Sequence, residues 1–328
     1  MTVLRKILVS VIIRTLNEEK YLSELLNEIK NQQSNSFIIE TIIVDSGSTD
    51  KTLVIAKSFD TRVVHIKKED FSFGRSLNLG CENAMGDFFV FISGHCIPTN
   101  KSWIHNLISP LKDNLCDYTY GKQLARDTTK FSEKQIFSKY YLKNSSVPQK
   151  GFFCNNANSA IKKDIWKKYL FDEKLTGCED MDLAKRICLD GGKIGYVAEA
   201  SVFHIHNENW LQIKTRYERE ALALQKIIPE VSITKLDFVR FFISGVLKDL
   251  HIAFMERSFV KNFRSVILFR WAQYLGAYIG NNKNYKISKK HKERYFYPIT
   301  SRGSKELKER YFHPFESDIE ITNNNNHD

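Results

Sequence analysis

The stretch Ile38 to Thr52, IIETIIVDSGSTDKT, decides the fold. Its opening residues are apolar and mostly β-branched, which predicts a buried strand of the kind used in parallel sheets. At Asp45 the character changes. Asp45-Ser46-Gly47-Ser48-Thr49-Asp50 gathers two carboxylates, three hydroxyls and a glycine into one turn ahead of a helical run, Lys51 to Phe59. Polar turns at the carboxyl ends of parallel strands are where open α/β sheets hold their ligands. Ser48, Thr49 or Asp50 is placed to cap the following helix. Asp45 comes too early for that job, which leaves it free to meet a ligand hydroxyl or ring N–H.

Upstream, Ile7 to Ile13 reads as a first strand that runs into Thr15-Leu16-Asn17-Glu18-Glu19. Tyr21, Leu22, Leu25, Leu26 and Ile29 then recur at helical spacing. The spacing between the two strands suits a right-handed βαβ crossover. Downstream, Arg62 to Ile66 reads as a third strand, and Phe71-Ser72-Phe73-Gly74-Arg75-Ser76-Leu77-Asn78-Leu79-Gly80 opens a helix reaching about Met85. Phe88 to Ile92 is a fourth, fully apolar strand ending in Ser93-Gly94-His95-Cys96-Ile97-Pro98. In a doubly wound sheet such strand ends share one edge, so the polar corners are expected to meet in a single crevice.

Beyond Pro98 the pattern predicts helices over Lys101 to Leu111, Phe131 to Leu142 and Lys162 to Tyr169, with strands over Tyr118 to Leu124 and Lys193 to His204. Asn155, Asn156 and Asn158 suit a sugar or a turn equally well. Glu179-Asp180-Met181-Asp182 leads into a helix, Leu183 to Asp190, that Gly191-Gly192 closes. From Trp210 onward the sequence is helical, with amphipathic runs at Asp237 to Met255 and Phe263 to Ile279 that mix aromatic and basic residues. Asn323 to Asn326 belongs to a polar end expected to be disordered.

The 328 residues allow two domains or one enlarged domain, and the 42% apolar and 27% charged shares are those of a globular protein. Net charge is +11, and its placement matters more than its size. Arg257 to His313 holds 14 Lys and Arg against 3 Glu, so the rest of the chain is balanced. This tail is the only feature that suggests nucleic acid, which is not expected as a partner. Six scattered cysteines form no CxxC pair and are expected to be reduced. The apolar run at the start is short and lacks a small-residue cleavage site, so it is expected to be a strand and not a signal peptide. No apolar run approaches the length of a membrane span.

With these pieces in place, Val9 to His206 resembles the family 2 nucleotide-sugar glycosyltransferases, inverting enzymes of the GT-A fold. The likeness is carried by the Thr15-Leu16-Asn17-Glu18 turn, the Val44 to Asp50 turn, the Gly74-Arg75 to Gly80 segment and Glu179-Asp180-Met181-Asp182. The wording is most similar to the rhamnosyltransferase-like bacterial branch. The resemblance implies an α/β fold with a Rossmann-like, mostly parallel sheet flanked by helices. It implies a GT-A domain over 1–207, then a basic, aromatic-rich helical extension over 208–313 and a tail over 314–328.

The implied reaction transfers a sugar from a nucleoside diphosphate donor to an acceptor hydroxyl, in assembly of a surface polysaccharide or glycolipid. Thr15, Asn17, Glu19, Asp45 and Ser46 would border the nucleotide base and ribose, and Arg75 and Asn78 the diphosphate, with Ser93 and His95 at the end of the fourth strand. Asp180, or its neighbour Glu179, would be the general base. Family members end the fourth strand with a DxD motif that binds a divalent cation. Here that position reads Ser93-Gly94-His95, so any Mg²⁺ or Mn²⁺ would rest on His95 with His206, or His204, from the later strand. Without an ion, a cationic His95 together with Arg75 would neutralise the diphosphate. The acceptor would be a glycan or lipid-linked. The location would be cytoplasmic. The basic, aromatic helices read either as a domain core with a solvated face or as a peripheral contact with anionic lipid at the inner face of the membrane. Two competing readings are a catalytically inactive binder of nucleotide sugar or glycan, and a nucleotidyltransferase. The latter normally needs a glycine-rich phosphate loop after the first strand, and Arg14 to Leu22 has no glycine.

Overall fold

In the computed structural model, which describes residues 6–32 and 36–283, the two apolar runs become the nine-residue strands β1 (Ile7–Thr15) and β2 (Phe37–Asp45). They pair in parallel with Thr15 beside Asp45, and helix α1 (Leu22–Lys30) makes the crossover between them. The chain then runs through α2 (Thr52–Lys57), β3 (Arg62–His65), α3 (Phe73–Glu82), β4 (Phe88–Ser93), β5 (Cys96–Pro98), α4 (Trp103–Lys112) and β6 (Tyr118–Leu124). Next come α5 (Phe131–Tyr140), β7 (Asn158–Lys162), α6 (Lys163–Tyr169), α7 (Glu179–Leu189) and β8 (Ile194–His204). Three long helices follow: α8 (Trp210–Ile227), α9 (Lys235–Met255) and α10 (Phe259–Asn281).

The eight strands among the described residues join one sheet in the order β3-β2-β1-β4-β7-β6-β8-β5. The β3-β2-β1-β4 half is parallel, and β7 enters antiparallel to both β4 and β6. Period-two alternation along β1 sends Val9, Val11 and Ile13 to one face, where α1 and α4 cover them. Ile12 goes to the other face with Leu77 of α3 and Leu183 of α7. The sheet is therefore buried on both sides, which is why its strands read as continuous apolar runs.

Two elements depart from the sequence reading. Strand β7 was hidden because three of its five residues are polar, Asn158 and Ser159 among them. Both are fully buried, and Asn158 spends its side chain on the Lys122 and Ala200 carbonyls and on the Trp103 indole N–H. Strand β5, expected as turn, pairs antiparallel with β8. The reading of 314–328 as a disordered tail lies outside the described residues.

Beyond β8, capping boxes at Asn209 with Gln212 and at Thr234 with Asp237 start α8 and α9. Helix α10 lies against α8 at backbone contact distance. A Cβ on Gly276 would stand 2.3 Å from the Lys214 carbonyl oxygen, and one on Gly280 would stand 1.9 Å from that of Glu218. A buried bidentate ion pair, Arg270 to Asp249, with N–O distances of 2.7 and 2.8 Å, fastens α10 to α9. Among the described residues no helix is long and apolar enough to cross a membrane.

Candidate active site

The parallel pairing brings the carboxyl ends of β2, β1 and β4 side by side, with Arg14 opposite both Val44 and Ser93. The two polar corners that follow β1 and β2 are stitched together. The Asn17 backbone N–H donates to Ser48 Oγ, that of Thr49 to Asn17 Oδ1, that of Glu18 to Thr52 Oγ1 and that of Lys51 to Glu19 Oε2. Asn17 adopts a left-handed backbone (φ 57°) to make this turn, a conformation that asparagine tolerates better than most residues.

A cleft opens beside this edge. Thr15, Ser46, Ser93, His95, Asn155, Glu179, Asp180 and His206 all line it, from strand ends and loops far apart in sequence. Asp180 sits in the first turn of α7. Its Oδ2 accepts from the Asn156 backbone N–H (2.8 Å) and its Oδ1 from that of Met181 (2.8 Å). Burial, and then the adjacent Glu179 charge, outweigh these bonds and push the Asp180 carboxyl up to about 7. A carboxyl poised there exchanges protons at neutral pH. Glu179 is itself buried and paired with Arg14 at 3.4 Å.

The other expected site residues are bonded within the fold to different degrees. Asp45 is not left free: it is 1% exposed and accepts from Thr15 Oγ1, Ser48 Oγ and the Gly47 and Ser48 backbone N–H groups. Its early position, too soon for a helix cap, is what lets it organise its own turn. The cap residue of α2 is Lys51, and Asp50 instead holds the Thr52 N–H and hydroxyl. Asn17 and Glu19 are exposed and outside the cleft lining. Asn78 faces inward, bonded to Trp166 Nε1, to the Phe171 N–H and carbonyl and to Glu173. Arg75 pairs with Glu82 and Glu173 and lines a separate depression with His65 and Lys67, so it does not stand beside His95.

Three arginines absent from the sequence expectation stand at the cleft or against a ring that lines it. Arg14 and Arg219, far apart in the sequence, both stack on the Phe73 ring, 4.6 and 4.5 Å from its centroid. Arg216 of α8 lines the cleft and binds Glu133 and Glu208, each at 2.7 Å. Glu220, one turn further along α8, is raised to about 8 by burial. Only the i, i+4 spacing of Arg216 and Glu220 hinted at a shared helix face, and nothing local said which way it would turn.

His95, His204 and His206 form one cluster, with ring centroids 4.1 to 5.8 Å apart and potential ligand atoms within 4.8 Å of one another. Each Nδ1 meets an oxygen: His95 that of Glu18 (2.7 Å), His204 that of Gln123 (2.6 Å) and His206 that of Glu133 (2.7 Å). Carboxylate and amide oxygens only accept here, so each Nδ1 carries a proton, and a ring in its neutral form keeps its lone pair on Nε2. Burial lowers the His95 pKa, but the Glu18 carboxylate more than offsets this and the net shift is upward. His204, buried beside two other imidazoles, is held well below the usual range. Glu133, despite its burial, is pulled down to about 2 by His206 and Arg216.

A parallel half-sheet whose strand ends meet a buried carboxylate and a cation-rich cleft marks an α/β ligand-binding domain, and comparison with solved structures gives its fold as the GT-A type. Residues 10–170 match the family described as Glycosyl transferase family 2, and this segment of the chain is a domain of that family. O-antigen chain rhamnosyltransferase WbaN of Salmonella anatum is 32% identical over 191 residues, 54% of this chain and 60% of that protein. The chain thus spans about 60% of that relative's length. Among solved structures, mannosyltransferase PcManGT from Pyrobaculum calidifontis, in complex with GDP-Man and Mn²⁺, aligns with a TM-score of 0.58 at 15% identity, over 84% of this chain and 87% of that one. S. aureus TarS 1-349 in complex with UDP-GlcNAc aligns with a TM-score of 0.53 at 16% identity, over 82% and 91%.

Proposed function

We propose that the protein is an inverting glycosyltransferase that moves a sugar from a nucleoside diphosphate donor to an acceptor hydroxyl during assembly of a cell-surface glycan. The observation that carries this reading is Asp180, a buried carboxyl raised to about 7 and held by two backbone N–H groups in the cleft where three strand ends meet. In the reaction, Asp180 takes the acceptor proton as the acceptor oxygen bonds to the anomeric carbon on the face opposite the leaving group. The bond from that carbon to the diphosphate breaks, and its electrons leave with the nucleotide.

Thr15 and Ser46 lie where the base and ribose would rest, and Asp45 serves by fixing the turn that presents Ser46. Arg14 and Arg216 line the same cleft and supply positive charge where the diphosphate develops negative charge. The histidine cluster fits a divalent cation by its donor chemistry: three imidazoles, each oriented through Nδ1. His95, His204 and His206 would hold the ion, and imidazole-rich donors suit Mn²⁺ or a later transition ion better than Mg²⁺. When bound, such an ion supplies charge neutralisation at the departing diphosphate. Six cysteines, none of them in a disulfide, suit a reducing, cytoplasmic setting.

A screen of nucleotide sugars by mass spectrometry tests the proposal, because transfer or slow hydrolysis identifies sugar and nucleotide together. The missing carboxylate at Ser93-Gly94-His95 favours one other reading, a protein that only holds nucleotide sugar. Binding without turnover of any donor, with and without added Mn²⁺, would decide for it.

A further inference from the structure

Helix α9 carries an apolar line that no described part of the chain covers. Leu236, Ile243, Leu247 and Phe254 are 77, 50, 63 and 68% exposed, and their spacings of 7, 4 and 7 residues keep all four within about 40° on a 3.6-residue helix. The line continues through Met255 at the end of α9, 69% exposed, into α10, where Val260 is 92% and Phe263 44% exposed. Ordinary surfaces scatter single apolar side chains, whereas a line running the length of a 21-residue helix is a docking surface.

Its flank has one sign of charge. Arg240 and Lys248 border the line on α9, and Arg257, Lys261 and Arg264 surround the turn, all exposed, against the single exposed acid Glu256. Of the two acids on this helix, Asp237 is half-buried and bonded to Thr234 in the capping box, and Asp249 is buried in its pair with Arg270. No acidic residue occurs in α10 at all.

We propose that the outer face of α9 and the α9–α10 turn dock in the plane of an anionic lipid surface. The apolar line would sit at the level of the acyl chains, and the five cations would lie against the headgroups. Neither helix is apolar enough to span the bilayer, which leaves lying on it as the geometry for such a face. A second copy of this chain is disfavoured by charge. An isologous contact would set Arg240, Lys248, Lys261 and Arg264 against their own images. The inference stands apart from the transfer reaction, since vesicle binding is measured without turnover.

The test is co-sedimentation of the full chain with vesicles of phosphatidylcholine alone or with 30% phosphatidylglycerol. The expected result is at least tenfold tighter binding to the anionic vesicles, weakened by raising salt from 0.1 to 0.5 M. Leu247→Asp with Val260→Asp should weaken it tenfold or more, and Lys261→Glu with Arg264→Glu should abolish the preference for anionic lipid. Circular dichroism confirms that each variant is folded. For a probe that does not depend on loss of binding, Val260→Trp should shift its emission to the blue on anionic vesicles. Equal binding to both vesicles, or no binding, overturns the proposal. Unchanged binding of the Leu247 and Val260 variant overturns it too, because charge elsewhere in the chain would then suffice. So does a concentration-dependent dimer that Val260→Asp dissolves.

Discussion

The Asn156 backbone N–H donates to Asp180 Oδ2 across 2.8 Å, joining the loop before β7 to the first turn of α7. Asn156 is fixed in turn, its side-chain oxygen accepting from the hydroxyls of Tyr118 and Ser159. The carboxylate is therefore oriented by the sheet itself, a rigid support for a proton acceptor.

Asp180→Asn should lower kcat by about 10²–10⁴-fold while leaving nucleotide affinity within about twofold, because it removes a proton acceptor and little else. In the native protein kcat/KM should climb with pH and level off above about 7, the region to which burial raises this carboxyl. Stability follows with the opposite sense. Between an unfolded value of about 3.9 and the folded value, the native state keeps a proton that the unfolded chain has released, so stability falls as pH rises through that window. In Asp180→Asn this fall should shrink, which thermal melts from pH 4 to 8 would register. A variant with undiminished turnover removes Asp180 from the reaction.

Asn78 is expected to act on stability and not on donor binding. Truncation to Ala leaves the Trp166 indole N–H and the Phe171 backbone groups without partners in the interior, a loss of about 2–4 kcal/mol for the set. Urea denaturation measures it. Arg75→Ala, which breaks only partly exposed pairs with Glu82 and Glu173, should change stability by less than about 1 kcal/mol and leave donor KM unmoved. A large rise in donor KM for Arg75→Ala would return it to the site.

These two residues show where a sequence stops being readable. The β-branched runs and polar corners made β1, β2 and β4 legible, along with their shared edge, because strand burial and turn chemistry are local properties. Helix α3 carries both Arg75 and Asn78, and its sequence alone does not say which face meets the loop at Phe171 to Glu173. That contact depends on chain nearly 100 residues away. The bonds of Asp45 were hidden for a related reason: a carboxylate at a strand end looks the same in sequence with or without its own Gly47 and Ser48 amides as partners. The histidines were legible as residues of interest, but Glu18, Gln123 and Glu133 become their partners only once β6, β8 and α5 pack together.

The close approach of α10 to α8 gives a prediction away from the chemistry. Gly280→Ala would drive a methyl group into the Glu218 carbonyl, against backbone that cannot swing aside, and should cost about 1–3 kcal/mol. Gly191→Ala also strains the chain, since Gly191 closes α7 at φ 82°, but nothing lies within 4 Å of its added carbon. It should cost about 1 kcal/mol, the penalty of a left-handed residue alone. Denaturation of the two variants side by side separates crowding from backbone strain, and equal losses would mean that the helices slide apart freely.

The histidine cluster makes the sharpest claim about ions. Three imidazoles offer nitrogen donors, so binding measured by calorimetry should rank Mn²⁺ and later transition ions above Mg²⁺. His95→Ala, His204→Ala and His206→Ala should each weaken Mn²⁺ at least tenfold. Gln123→Leu is the more discriminating change. It removes the oxygen that orients His204 without touching a donor atom, and loss of such support typically lowers metal affinity by about 10–100-fold. Electron paramagnetic resonance of added Mn²⁺ reads the site without turnover, through the spectrum of the bound ion and its loss in the variants. If Mg²⁺ competes on equal terms, or if Gln123→Leu and the three alanine variants hold Mn²⁺ as the native chain does, the cluster is not the ion's site. Neutralisation of the leaving diphosphate would then fall to Arg14, Arg216 and the His95 imidazole, whose pKa the Glu18 carboxylate already raises.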